Sequence, residues 1–527
     1  MVIKIKLIKI KRMEFLPYEV FLMIVKKCDF LTKIRFSTVN KNFYASIQIR
    51  DLINVPKKIT NILNDEILQQ TKFKNLKKLK VNEKITQKLI TQFNLVELNM
   101  KNNKIIKDVS FMKKLKRLNV TESCKIGQSG LQGLDLIELN AKRNKKIKDV
   151  SFMKNLKRLN ASHSCGIDQR GIRGLDLVEL NVDDNDKIKD VSFMKKLKRL
   201  NAGNDCGIDQ RGIQGLDLIK LNIGYNHKIN SVAFMKNLQI LDASGNCGIN
   251  QKDIQGLDLI KLVACENKKI NNVSFMKKLK ILDLGGKCGI DQKGIQGLDL
   301  IELDVCSNKK IKDVSFMKNL KILHAYGHCD IDQNGIRGLD LKELTVRENK
   351  KIKNVSFMKN LEILDGYDCG INQKGIKGLN LIKLNASYCK KIKNVSFMNK
   401  LKMLDATGKC GIDQKGIQGL DLIRLIASKN EKIKNVSFMK NLKILDASDK
   451  CGIDQKGIQG LQLDQLTMSN NKKIFNACHN CSPDTNRNHG IVIDEIKVHY
   501  GIITNACSKC GVAMNQNLNI KEFLHFC

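Results

Sequence analysis

Tryptophan is absent from this 527-residue sequence, and only three prolines interrupt it. The sequence has no run of about 18 or more consecutive apolar residues, so no transmembrane helix is expected. Lysine interrupts the apolar residues of the opening segment, MVIKIKLIKIKRM, which therefore lacks the continuous apolar stretch of a signal peptide. We expect a chain that has no membrane partner, is not secreted, and works in the cytoplasm or nucleus.

The usual signatures of catalysis are also missing outside the repeated part of the chain. There is no glycine-rich phosphate loop, no nucleophile elbow and no pair of acids placed for acid–base work. The position of the isolated acids and histidines in the repeat explains their presence. These absences predict a binding scaffold and not an enzyme.

Acidic residues are few beside basic ones. The chain has 53 aspartates and glutamates against 93 lysines and arginines, a formal net charge of +40. Such a charge attracts nucleic acid, an anionic membrane or an acidic protein, and does not choose among them. Lysine runs also keep a long repeat surface soluble, so the charge by itself does not identify a partner.

The sequence VSFM, or a near variant, recurs with a spacing of 41 residues and one step of 40. Within each period the pattern leucine, two residues, leucine occurs twice, for example at Leu156 and Leu159 and again at Leu177 and Leu180. The true unit therefore has about 20 or 21 residues, a period typical of repeat proteins. The phenylalanine of the motif falls at Phe111, Phe152, Phe193, Phe234, Phe275, Phe316, Phe357, Phe397 and Phe438.

These units resemble the leucine-rich repeat, L-x-x-L-x-L-x-x-N/C-x-L, at the short end of its length range. The resemblance implies a solenoid in which each unit supplies one short parallel strand and returns by a short helix or 3₁₀ turn. The expected fold class is α/β: a leucine-rich-repeat solenoid with a curved parallel sheet, a small helical N-terminal domain and a small C-terminal zinc-ribbon-like module. The predicted boundaries are 1–14 for a basic leader, 15–60 for the helical domain, 73–475 for about twenty repeats, and 476–527 for the terminal module or cap.

One polar column follows from the repeat. In leucine-rich repeats an asparagine just after the strand bonds backbone groups of neighbouring coils, and buried turn amides need such partners. Cys389 replaces this asparagine once. The column contains Asn103, Asn144, Asn185, Asn226, Asn267, Asn308, Asn349, Asn430 and Asn471.

A cysteine column occupies the other half-repeat. Its consecutive members are two strands apart, about 9.5 Å, whereas a disulfide needs Cα atoms roughly 4.4–6.8 Å apart. We therefore expect buried, reduced thiols, and we expect Cys369 and Cys389 to be stacked neighbours because of the single 40-residue step. The column contains Cys124, Cys165, Cys206, Cys247, Cys288, Cys329, Cys369, Cys410 and Cys451.

Strand alternation predicts which side chains face outward on the concave side of the sheet. In the first half of the repeats, glutamate and arginine alternate from Glu97 and Arg117 onward, which predicts a ladder of charges that satisfy each other. In the second half, an apolar stripe with acidic neighbours predicts a protein-docking strip, although side chains that only shield the sheet would give the same pattern. The strip contains Ile240, Asp242, Ile281, Asp283, Ile322, His324, Ile363, Asp365, Met403, Asp405, Ile444 and Asp446.

Residues 15–44 begin with Leu16-Pro17 and Glu19, typical of a helix start with proline in the first turn. The segment resembles the F-box, with Phe43 in place of the usual tryptophan. The resemblance implies docking to the Skp-type adaptor of a cullin–RING ubiquitin ligase; a helical cap on the first repeat is the alternative. The layout is similar to that of F-box/leucine-rich-repeat proteins of the giant-virus type. The residues expected to bind the adaptor are Leu16, Pro17, Glu19, Val20, Ile24, Leu31 and Val39.

The last 50 or so residues break the repeat and contain two cysteine pairs, CHNC and CSKC. Four thiolates in two such pairs match a closed tetrahedral zinc site, and the segment resembles a zinc ribbon. A C-terminal cap without metal is the alternative. The predicted structural zinc ligands are Cys478, Cys481, Cys507 and Cys510.

Two functions remain open at this point. The first is a protein-interaction scaffold that acts as the substrate receptor of a ubiquitin ligase, with the repeats binding a protein substrate that the sequence does not identify. The second is a basic repeat scaffold that binds nucleic acid or an acidic protein without any ligase link.

Overall fold

The structure, a computed structural model, describes residues 49–55, 57–70, 73–122 and 124–474. The described residues fall into two compact units, 49–229 and 230–474, called unit one and unit two below. The predicted basic leader, most of the predicted helical domain and the cysteine pairs of the C-terminal module lie outside the described residues. In the described part of the chain, no helix has the length and apolar character needed to cross a membrane.

Unit one consists of parallel strands joined by tight returns, with three short helices placed between its first three strands. The helices are α1 (Lys57–Ile62), α2 (Asp65–Leu68) and α3 (Gln87–Ile90). The strands are β1 (Asp51–Leu52), β2 (Lys78–Lys80), β3 (Glu97–Asn99), β4 (Arg117–Asn119), β5 (Glu138–Asn140), β6 (Arg158–Asn160), β7 (Glu179–Asn181), β8 (Arg199–Asn201) and β9 (Lys220–Asn222). The 3₁₀ turns are Ser129–Leu131, Arg170–Ile172 and Arg211–Ile213.

Unit two repeats the same pattern of parallel strands and tight returns. Its strands are β10 (Ile240–Asp242), β11 (Lys261–Val263), β12 (Ile281–Asp283), β13 (Glu302–Asp304), β14 (Ile322–His324), β15 (Glu343–Thr345), β16 (Ile363–Asp365), β17 (Lys383–Asn385), β18 (Met403–Asp405), β19 (Arg424–Ile426), β20 (Ile444–Asp446) and β21 (Gln465–Thr467). Its 3₁₀ turns are Lys252–Ile254, Lys293–Ile295, Asn334–Ile336, Lys374–Ile376, Lys415–Ile417 and Lys456–Ile458.

The middle residue of each three-residue repeat strand is a buried leucine. Leu159 pairs with Leu180 in unit one, and Leu323 pairs with Leu344 in unit two, each in parallel register. This register stacks the leucines of each unit in a column. Because side chains alternate between the two faces of a strand, it also determines on which face of the sheet each neighbouring side chain lies. Burial of each leucine contributes about 1.5–3 kcal/mol.

The two half-repeats return by different routes. In VSFM units, Val191 and Met194 are buried, while Phe193 stays 38% exposed at the turn. In the alternate units the chain forms a 3₁₀ turn, as predicted, and packs so closely on the preceding coil that a Cβ on Gly212 would collide with the carbonyl of Lys189. Glycine permits this approach without a shift of the backbone, whereas Asp253 occupies the equivalent position in the turn Lys252–Ile254.

The asparagine column forms the predicted ladder between coils. Asn185 Nδ2 donates to the carbonyl oxygens of Ala161 (2.6 Å) and Ile167 (3.3 Å), and its Oδ1 accepts from Lys187 N at 3.0 Å. The side chain is almost fully buried. Where Cys389 replaces the asparagine, its Sγ donates to the carbonyl oxygen of Gly366 at 2.8 Å, so the thiol keeps one of the two bonds.

A second ladder, made by glutamines on the return side of the coils, was not predicted. Gln169 Nε2 donates to Asp190 O at 2.8 Å, and its Oε1 accepts from Lys189 N and Asp190 N, both at 2.9 Å. The side chain thus replaces backbone pairing that the short return lacks. Glutamines with this role are Gln87, Gln128, Gln169, Gln251, Gln292, Gln333, Gln373 and Gln414.

The cysteine column is buried, as predicted. Burial raises the pKa of Cys206 to about 12, so its thiol stays protonated at neutral pH. The predicted stacking of Cys369 and Cys389 is confirmed by a distance of 3.9 Å between their sulfur atoms. These thiols fill space beside the ladder.

We predict that Asn185→Ala lowers the free energy of unfolding by about 1–3 kcal/mol, because the carbonyls of Ala161 and Ile167 lose their buried donor. The measurement is the urea midpoint, together with hydrogen exchange of β6 and β7. The matched control is Gln214→Ala, which truncates an exposed amide on the next 3₁₀ return. Equal midpoints for the two variants would contradict a stabilising role of the ladder.

Candidate protein-binding face of the repeat sheet

The sheet face is defined as the side chains at the first and third positions of each strand, with the residue two positions after the strand. These positions alternate with the buried leucine and with the buried residue that follows the strand. The sheet face is therefore a regular surface that leucine packing leaves open, in addition to the turns that expose Phe193 and its equivalents.

In unit one the sheet face neutralises itself. Arg117 Nε lies 3.1 Å from Glu97 Oε2, and Arg158 Nη2 lies 3.0 Å from Glu138 Oε2, each pair joining adjacent strands. The third positions are a row of asparagines from Asn99 to Asn222. The predicted ladder of alternating charges is confirmed, and it leaves little net charge on this face.

In unit two, the structure places all the residues of the predicted docking strip on the sheet face. They occupy the first and third positions of β10, β12, β14, β16, β18 and β20. All are half-buried except Met403, which is 42% exposed. The strip is thus a real surface feature, and its role in docking stays a prediction.

The intervening strands add residues that the prediction did not assign to the strip. Glu302 and Glu343 occupy the first positions of β13 and β15, between the isoleucines. Tyr326, Arg347 and Tyr367 border them, two positions after β14, β15 and β16. The same alternation rule marks these positions in the sequence, but their residue types change from one period to the next, so no repeated motif points to them.

Two carboxylates lie side by side in this surface. Asp283 and Asp304 are partners in the parallel register of β12 and β13. Burial raises the pKa of both carboxyl groups, and the charge of Asp304 raises the pKa of Asp283 further. Backbone N–H groups of Gly285 (2.9 Å) and Cys306 (2.7 Å) oppose the shift. Like charges on paired positions destabilise a sheet.

Asp365 has a different environment from these two aspartates. Arg347 Nη2 and Nε approach Asp365 Oδ2 at 2.5 and 2.8 Å. The carboxylate raises the pKa of Arg347 through this hydrogen-bonded pair. His324 Nδ1 is engaged with Thr345 Oγ1 at 3.0 Å. The sheet face of unit two therefore contains hydrogen-bonded or ion-paired polar groups beside the carboxylates of Asp283 and Asp304, which make no ion pair with any described residue.

The other predicted site residues lie outside the described residues. These are the seven F-box-like positions from Leu16 to Val39 and the four cysteines Cys478, Cys481, Cys507 and Cys510. Among the residues that the structure describes, no cluster of three or more histidines, cysteines or acids is arranged to hold a metal ion. The zinc site remains a prediction from sequence.

The parallel strands, the buried leucine column and the asparagine ladder define a leucine-rich-repeat solenoid, a class of non-enzymatic interaction scaffolds. A family model, "F-box domain", matches residues 13–54. The chain therefore combines an F-box domain with leucine-rich repeats. The matched range includes all seven predicted adaptor-binding positions.

Several solved structures are similar to the chain. The TLR13–ssRNA13 complex shares 16% identity at a TM-score of 0.46, with 80% of each chain covered. CroV588, described as a circular leucine-rich-repeat protein, shares 14% sequence identity at a TM-score of 0.37, and the match covers 75% of this chain and 76% of that chain. Rad7 in the yeast Rad7–Elc1 complex shares 15% sequence identity at a TM-score of 0.33, and the match covers 66% of this chain and 94% of that chain. No curated protein matches the chain in sequence.

We predict that Asp283→Asn/Asp304→Asn raises the melting temperature at pH 7 by about 2–4 °C, because it removes the repulsion between two paired carboxylates. Such a rise corresponds to a gain of about 1 kcal/mol in the free energy of unfolding. A raised pKa in the folded state means that these groups contribute stability below their unfolded pKa and lose it as pH rises through the folded pKa. The gain should therefore fade as pH falls through the raised folded pKa, because the native carboxyl groups then become neutral as well.

The matched control for this pair is Asp258→Asn, which removes a carboxylate paired with Lys278 at 2.7 Å. It should give no rise in melting temperature at pH 7. The expected pH dependence is measured by thermal unfolding between pH 4 and 8. A double variant that melts below the native protein at pH 7 would show that the two carboxylates do not strain the sheet.

Proposed function

We propose that this protein is the substrate receptor of a cullin–RING ubiquitin ligase. Residues 13–54 bind a Skp-type adaptor, and the repeats bind the protein to be modified. The observation that carries this proposal is the F-box match at residues 13–54, which reaches β1 and is followed by the other strands of the repeat sheet. An adaptor-binding segment beside an interaction scaffold needs no catalytic residue of its own.

The sheet face supports a protein substrate over nucleic acid. In unit one the charges of the face are paired with each other. In unit two the face carries unpaired carboxylates, which repel phosphate. Most of the positive charge of the chain therefore lies on other surfaces, although Lys220, Lys261, Lys383 and Arg424 occupy first positions of the sheet face. The basic nucleic-acid scaffold has no specific observation in its favour.

The same proposal includes a compartment. Twelve cysteines of the described residues are free, and most of them are buried. A chain with this many free thiols suits the reducing cytoplasm or nucleus. The other subunits of the proposed ligase would bind the protein in that compartment.

We expect the full chain to capture a recombinant Skp-type adaptor with its cullin, and Leu16→Ala/Pro17→Ala to abolish that capture. Both residues belong to the matched range and to the predicted adaptor-binding set. The matched control is Lys11→Ala/Arg12→Ala, which changes two neighbouring residues just outside that range. Adaptor capture that survives the first variant, or that is missing from the native chain, would contradict the proposal.

We further propose one structural zinc ion bound by Cys478, Cys481, Cys507 and Cys510. The support is the spacing of the two cysteine pairs, which suits tetrahedral thiolate coordination. The site would order the C-terminal segment and has no role in catalysis.

Elemental analysis of the purified full chain should find close to one zinc per molecule. Cys507→Ser/Cys510→Ser should lose it, because a closed zinc site needs all four thiolates. Cys306→Ser, which changes a half-buried cysteine of the sheet face, should retain the zinc. A native chain purified without zinc would exclude the site.

A further inference from the structure

A compact patch in the middle of unit two combines aliphatic and acidic side chains. It is formed by the sheet face of β12 to β16. Its members are Ile281, Asp283, Glu302, Asp304, Ile322, Glu343 and Ile363, called the acid–aliphatic patch below. All seven side chains are half-buried, so each presents part of its surface to solvent.

The acidic side chains of the patch make no ion pair. This holds for Asp283, Glu302, Asp304 and Glu343 within the part of the chain that the structure describes. Arg347, on the sheet face of the same strands, is already bound to Asp365. Lys261 of the neighbouring β11 acts on Asp283, and His324 acts on Asp304, through charge alone. In a chain of net charge +40, a surface of this kind is an exception that lysine-rich composition does not explain.

The patch also costs stability. Asp283 and Asp304 are paired across adjacent strands and are partly buried, so their like charges repel at short range. Unit one carries asparagines at the same positions, for example Asn181 and Asn201, and thereby avoids the repulsion. A cation that binds Asp283 and Asp304 would explain why two carboxylates occupy these paired positions.

The spacing of the patch fits an extended peptide. Its three isoleucines occupy first positions two strands apart, about 9.6 Å, with Glu302 and Glu343 between them. Three residues of extended or polyproline chain span about 9–10 Å. A segment with one basic and one aliphatic side chain in every three residues would therefore contact both the isoleucines and the carboxylates of the patch. Tyr326 and Tyr367 lie beside the patch, where their rings can contact a cation.

We propose that the acid–aliphatic patch is the docking site for an extended, lysine- or arginine-rich segment of the substrate protein, whose aliphatic side chains pack on Ile281, Ile322 and Ile363. This inference rests on the proposed function in one respect, since it takes the docked protein to be the ligase substrate. The binding itself does not depend on the F-box domain.

The test measures anisotropy of a fluorescein-labelled peptide of four Lys-Ile-Pro repeats with the full chain at 0.15 M salt. The native protein should bind this peptide, and should bind the matching Glu-Ile-Pro peptide at least about tenfold more weakly. Each exposed charge pair adds only a small free energy of binding, but four pairs act together. Raising the salt should weaken binding. A single-stranded oligonucleotide should not displace the peptide; displacement would overturn the proposal.

The key variant is Asp283→Asn/Glu302→Gln/Asp304→Asn/Glu343→Gln, which should weaken binding of the lysine peptide at least about tenfold. The matched control, Asp258→Asn/Asp299→Asn/Asp340→Asn/Asp421→Asn, removes the same charge from positions before the strands, three of them exposed and one (Asp340) half-buried. It should change binding by no more than about twofold. Equal losses for the two variants would show that only overall charge matters and would overturn the proposal.

Adaptor capture is measured on the same proteins. All variants should bind the adaptor as the native chain does, and cooperative thermal unfolding of each variant checks that its repeats are folded. Loss of peptide binding in the native chain with intact adaptor capture contradicts the patch alone. Peptide binding by a chain that never captures the adaptor contradicts the proposed ligase function and leaves the patch intact.

Discussion

The hydrogen bond from a buried asparagine to the coil before it is the interaction on which the rest of this structure depends. A three-residue strand provides few backbone bonds, and the tight turn after it leaves carbonyl groups without partners. Asn185 and its equivalents satisfy those groups, and on the return side Gln169 and its equivalents bond the next coil. The two ladders let each coil be about 20 residues long and still bury its leucine.

A coil held in this way presents its sheet face to solvent, and the two units use that face differently. In unit one, arginine and glutamate of adjacent strands neutralise each other. In alternate strands of unit two, such as β12 and β16, isoleucine takes the place of arginine and aspartate the place of asparagine, so the scaffold is unchanged while these strands present apolar and acidic side chains. Binding specificity can therefore vary without any change in the packed interior.

The period and strand alternation in the sequence were sufficient to predict the buried columns of the repeat. The leucine register, the asparagine ladder, the buried cysteines and the contact of Cys369 with Cys389 all follow from the period and from strand alternation. The glutamine ladder escaped notice because Gln169 and its equivalents lie among other polar residues near the surface, where periodicity does not separate a bonded side chain from a solvated one. The ion pair of Arg347 with Asp365, and the lack of an ion pair at Glu302, could be seen only from distances between strands, because these residue types do not recur from one period to the next.

The single 40-residue step around Cys369 shows how such a chain changes its length. One residue is missing there, yet Cys389 bonds Gly366 where an asparagine would otherwise act, and the strands keep their register. If a coil tolerates the loss of one residue, the gain or loss of a whole 41-residue period would leave every ladder bond with an equivalent partner. Near-identical coding repeats recombine readily, so relatives of this gene would be expected to differ in repeat number more often than in the sequence of a coil.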